Sequence, residues 1–269
     1  MSSLRKVRDP SRGVAATAAC DARRRACLAA AGALALSGCG HFRRRDLDRR
    51  PGRLIPFSEA SVAGGLPTAW QPQVPRPDLP RTLYEIVERD DRRVLHAVAD
   101  RSASGLRCAV DIDPLATPWL EWEWRARTVD PRATVSVDAR DDSPARLAVG
   151  FDGELSRLGF ADLVFGELVL AITGYTVPYA TLMYVWDGEV PVGSVLTHPR
   201  TSRIRYLVVE SGAGRADRWI SYRRNVVDDY RRVFGGDPGR VQDVGVVTDS
   251  DDLNTWAETW YGDLAFRAG

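Results

Sequence analysis

At 269 residues, with 44% hydrophobic and 27% charged side chains, the chain has enough apolar material for one large globular domain or two small ones. Its formal net charge of +1 hides an asymmetry: residues 1–38 carry seven basic side chains against Asp9 and Asp21, and without them the balance is about −4. No basic excess is then left to bind a polyanion, which excludes nucleic acid as a partner.

Arg23, Arg24 and Arg25 precede an apolar run from Ala26 to Leu36, too short to cross a bilayer core of about 30 Å as a helix. The run ends in Leu36-Ser37-Gly38-Cys39, which resembles the lipobox of bacterial lipoproteins. The resemblance implies a leader over residues 1–38, cleavage before Cys39 and lipid on its sulfur. Each buried methylene of an acyl chain contributes roughly 0.8 kcal/mol, so two or three chains anchor a protein firmly. The expected location is the cell envelope, on the periplasmic face of an outer membrane where the cell has one. Residues 39–53, with six arginines and Pro51, read as a lipidated tether. With Cys20 and Cys27 in the leader and Cys39 modified, Cys108 is left alone, so no disulfide framework is expected.

From Leu54 to Gly269 short alternating segments separated by Gly, Pro and Asp predict a single β-sandwich or jelly roll. In chain order, strands are expected over 82–87, 94–99, 106–112, 119–127 and 145–151. A helix over 155–172 follows, with Leu155, Leu158, Ala161, Phe165, Leu168 and Ile172 at helical spacing. Strands over 181–186, 203–209 and 219–223 lead to a shorter helix over 225–234, stopped by Gly235-Gly236. Strands over 241–248 and 260–266 close the pattern. Period two puts Leu120, Trp122, Trp124 and Ala126 on one face and Glu121, Glu123, Arg125 and Arg127 on the other. The same rule makes Cys108, with Leu106, Val110 and Ile112, a core residue.

Several segments from about Phe57 to Phe266 resemble, in order, the bacterial family catalogued as domain of unknown function 3047. They include Ser102 to Leu106, Trp122-Glu123-Trp124, Asp141-Asp142-Ser143-Pro144-Ala145-Arg146, Tyr179 to Trp186, Val209 to Gly212, Arg224 to Tyr230, and Tyr261-Gly262-Asp263. The resemblance implies no activity. Its strand pattern is similar to galactose-binding-like carbohydrate modules, and fold does not by itself transfer function.

Candidate sites follow from residue type and face. Tyr184 and Trp186 alternate onto one strand face, where sugar rings could stack, with Arg146, Asp141 and Glu210 as polar contacts. Asp249, Asp251 and Asn254 could offer three oxygens to a structural calcium; no other cofactor is expected. Glu121 and Glu123 share a strand face roughly 7 Å apart, within the glycosidase range, although flanking arginines also suit a solvated charge ladder. Only His41, His96 and His198 are present, with no Gly-x-Ser-x-Gly elbow and no Cys/His cluster for zinc. The sequence thus points to a lipid-anchored, non-catalytic module binding a carbohydrate or other envelope ligand. The alternatives are a glycoside hydrolase or lyase using Glu121 and Glu123, and a protein-interaction module in envelope assembly.

Overall fold

The computed structural model describes residues 54–60 and 66–269. The segments read as leader and tether, Cys39 among them, lie outside the described residues.

The described chain is mainly β. Its strands are β1 (Trp70–Gln73), β2 (Leu83–Arg89), β3 (Arg92–Asp100), β4 (Ala103–Ile112), β5 (Trp119–Ala126), β6 (Arg146–Phe151), β7 (Ala180–Asp187), β8 (Val195–Thr197), β9 (Ile204–Ser211), β10 (Ile220–Asn225), β11 (Val241–Asp249), β12 (Trp256–Tyr261) and β13 (Ala265–Arg267). Two helices are inserted, α1 (Phe160–Thr173) and α2 (Val226–Phe234). One sheet runs β1-β4-β11-β6-β7-β9-β8; the other runs β10-β5-β12-β3-β2, with β13 also on β5. All pairings are antiparallel except β7 with β9.

The core lies between the sheets because alternation gives each strand one apolar face. Leu120, Trp122, Trp124 and Ala126 of β5 are buried, as period two requires. Opposite them stand Leu106 and Cys108 of β4, Leu147 and Val149 of β6, and Val244 and Val246 of β11. Cys108 is fully buried, and burial pushes its thiol up to about 11, so it packs as a small hydrophobe. Asn225 caps α2 by accepting from the N–H groups of Val227 and Asp228, at 3.0 and 3.2 Å.

Three expectations need correction. The strand expected over 260–266 is broken at Gly262, where a Cβ would stand 2.4 Å from Glu123 Cγ, and beside it Asp263 accepts from Ser58. Strands β1 and β8 were not expected; each is short and weakly alternating. The helix expected over 155–172 is a 3-10 turn at Leu155–Arg157 followed by α1. Its apolar stripe does not face the core: Leu155, Leu168 and Ile172 are exposed, and the only buried residue of α1 is Asp162.

Candidate functional site

Tyr184 and Trp186 do not form an open platform. Both rings are fully buried between the sheets; the Tyr184 hydroxyl donates to Asp229 at 2.9 Å and Trp186 Nε1 donates to the Gly212 carbonyl at 2.9 Å. Alternation assigned them correctly to one face, and that face is the inner one. Glu210 is also buried, accepting from Arg215 at 2.8 Å and the Tyr222 hydroxyl at 3.1 Å, apart from the other expected polar contacts.

Arg146 and Asp141 do meet. Arg146 reaches Asp141 at 3.0 Å and Asp249 at 3.1 Å, while the Tyr206 hydroxyl donates to Asp141 at 3.1 Å. Burial pushes Asp141 up to about 6, against the pull of the neighbouring guanidinium. Burial likewise raises Asp249 well above the carboxylate range, again opposed by Arg146. Desolvation works against the charge on Arg146, but its two carboxylate neighbours prevail and keep it charged.

Of these groups Asp249 lines a depression of about 360 Å³ at one end of the sandwich, where β5 and β11 end and β6 and β12 begin. Three segments wall it, and each is pinned. The first, 128–132, is docked through its continuation: Asp187 accepts from Val135 N–H at 2.8 Å. Gly188 lets the segment come close, since a Cβ there would lie 2.4 Å from the Asp130 carbonyl.

The second wall is Asp142-Ser143-Pro144. Ser143 donates to the Trp186 carbonyl at 2.7 Å, and the Pro144 carbonyl accepts from Thr248 and Thr259 at 2.9 and 2.7 Å. Asp142 accepts from the N–H groups of Asp252 and Leu253 at 3.0 and 2.7 Å, tying this wall to the β11–β12 turn. The third wall is Thr255-Trp256-Ala257. Trp256 is 43% exposed, with the Arg127 guanidinium 5.8 Å from its ring centre. Arg132 forms an ion pair with Asp130 at 2.6 Å and holds that carboxyl below its ordinary range.

Of the three residues expected to offer oxygens to calcium, Asp249 is engaged by Arg146, Asn254 is exposed, and Asp251 joins a cluster of carboxylates. That cluster is Asp142, Asp251 and Asp252, whose oxygens lie within 4.8 Å of one another. Three oxygens could face a hard cation, short of the six to eight that calcium takes. Burial raises all three carboxyls, and each is raised further by a neighbouring Asp.

Glu121 and Glu123 both lie on the outer face of their sheet, engaged by arginines. Glu121 meets Arg223 at 3.0 Å and Arg267 at 3.7 Å, and Glu123 pairs with Arg92. Both histidines among the described residues have partners in space. His96 lies 2.9 Å from Glu258 and stacks on Trp260, and His198 accepts from Arg200 N–H. Sequence reasoning missed Trp256, Asp130 and Arg132. The one available signal was a tryptophan placed just after an Asp-rich turn.

A family model described as "Protein of unknown function (DUF3047)" matches residues 68–265. None of the curated proteins matches the sequence. Among solved structures, similarity is found to the family 11 carbohydrate-binding module of the cellulosomal cellulase Lic26A-Cel5E of Clostridium thermocellum. Identity is 7% and the TM-score 0.40, over 81% of this chain and 97% of the module. The Emp47p carbohydrate recognition domain gives 12% identity and a TM-score of 0.39, over 80% of this chain and 94% of that one. The cellulose induced protein Cip1 gives 12% and 0.30, over 77% and 94%.

Proposed function

This chain belongs to the DUF3047 family of proteins of unknown function, and from that premise we propose that its sandwich is a non-catalytic carbohydrate-binding module held at the cell envelope by lipid on Cys39. The observation that carries the reading is the exposed Trp256 ring on the wall of a depression that also holds Asp130, Arg132 and Asp142. Sugars need both parts: an aromatic face for their C–H surface, and charged acceptors and donors that take hydroxyls in pairs. A volume of about 360 Å³ falls within the usual range for small-ligand pockets, roughly 300–1,000 Å³. Walls fixed by Ser143, Pro144 and Gly188 lessen the ordering cost of binding. A binding role also agrees with Glu121 and Glu123 being tied into ion pairs.

Titration calorimetry of the purified protein against envelope glycans tests the site. A glycan that binds should lose at least tenfold in affinity in Trp256→Ala, with little change in stability because the ring is half exposed. Equal affinity in the variant, or no affinity for any glycan, would overturn the proposal.

A further inference from the structure

Helix α1 is apolar on most of its surface yet leaves much of it in water. Its one buried side chain is polar, set among the half-buried Phe165, Val169 and Leu170: Asp162 accepts from Thr201 Oγ1 at 2.6 Å, Ser202 N–H at 2.8 Å and Ser202 Oγ at 2.5 Å. Beside it Gly166 leaves room for Arg203, since a Cβ there would lie 2.6 Å from the guanidinium. Arg203 in turn donates to the carbonyls of Val177 and Pro178. The outward side is apolar. Phe160 is 82% exposed, and Leu163, Val164, Leu168 and Ile172 are exposed with it, next to Leu155 of the preceding turn. Glu167 is the one charged residue on that side. A run of side chains that water disfavours is therefore held outward by a built polar anchor.

We infer that the outward face of α1 is a lipid-docking surface that lies in the headgroup–acyl boundary of a bilayer. Size decides against a second copy of this chain. Fourteen residues make a helix about 21 Å long, whose face offers on the order of 300 Å², well short of the roughly 800 Å² per partner in a stable dimer. A bilayer sets no such minimum, because each apolar side chain partitions by itself. Among the described residues no helix is long and apolar enough to cross a membrane, so α1 would lie along the surface. Residues 40–53 could span at most about 50 Å, so the lipid anchor proposed at Cys39 would keep this face within reach of the bilayer. The docking surface goes beyond the glycan site and does not depend on Trp256.

Hydrogen–deuterium exchange on the full chain carrying Cys39→Ser tests this without any acyl chain. Phosphatidylglycerol–phosphatidylethanolamine vesicles should slow exchange over residues 155–173 at least tenfold, and the effect should persist in 0.5 M salt. A Leu163→Glu/Leu168→Glu/Ile172→Glu variant should lose it while melting as the parent does, since all three positions are exposed. Trp256→Ala should keep it, so failure of the glycan site and failure of this surface are read separately. Slow exchange over 155–173 before vesicles are added would overturn the inference. If that slowing grew with protein concentration the cover would be a second copy, and if not, another segment of the chain. No change with vesicles would overturn it as well.

Discussion

His198 shows how one residue's surroundings set its chemistry. Its ring lies 5.8 Å from that of Phe165 and 6.3 Å from that of Tyr206, and Nδ1 accepts from Arg200 N–H at 3.1 Å. Burial, helped by the Arg200 charge, lowers its pKa from 6.5 to about 4. Between those values the unfolded chain takes up a proton that the folded chain refuses. The stability His198 contributes is therefore complete above pH 6.5 and is lost as pH falls through 4. Asp141 works in the opposite sense: its carboxyl, raised to about 6, favours the folded state below pH 4, and that contribution is lost as pH rises through 6. The two slopes oppose one another over the same window, so a difference measurement is needed. The His198 imidazole should titrate near 4 by NMR, and His198→Gln should flatten the decline in stability between pH 6.5 and 4. A midpoint near 6.5 would show that the ring is not held neutral by burial. Tyr184 and Trp186 make a related point. Alternation places two aromatics together on one face, but only the partner sheet determines whether that face is open.

At the scale of elements, α1 and α2 show two ways of fixing a helix. Val226, Val227, Tyr230 and Val233 of α2 are buried, in the usual arrangement in which the apolar stripe supplies the stability. The attachment of α1 rests instead on the hydrogen bonds of Asp162 and on the half-buried Phe165, Val169 and Leu170. Asp162→Ala removes three acceptor contacts and leaves the Thr201 and Ser202 donors without that partner, at a cost of about 1–3 kcal/mol. The loss should be local. Exchange over residues 160–173 should speed up while β5 and β11 keep their protection, because the inter-sheet core is untouched. A uniform loss of protection would mean that α1 is integral to the core. The regular spacing of apolar residues over 155–172 was legible in the sequence, but the direction of the stripe was not. A helical period fixes which residues share a face, whereas Thr201, Ser202 and Arg203, some forty residues downstream, fix which face turns inward.

At the scale of the whole molecule, the proposed anchor and the proposed glycan site are separable. Cys39→Ser should move the protein from the membrane to the soluble fraction at physiological salt, or leave it only weakly bound through α1. Glycan affinity should be unchanged, because the walls of the depression are pinned within the sandwich. Firm membrane retention of Cys39→Ser that also survives the triple glutamate variant of α1 would count against lipidation.

Legible in the sequence were the succession of strands along most of the chain, the burial of Trp122, Trp124 and Cys108, the short helix stopped at Gly235 and the family. Those properties rest on local patterns: a period of two, a period of 3.6, a glycine stop and a run of matching segments. Long-range packing turned Tyr184 and Trp186 inward, paired Asp249 with Arg146, and brought Asp142 to Asp251 and Asp252. It alone brought Asp130, Arg132 and Trp256 around one depression, over more than 120 residues of separation. The reason is geometric. Alternation within a strand carries no information about which other strand lies opposite, and a site at the end of a sandwich is built from connections whose neighbours are set by strand order in two sheets.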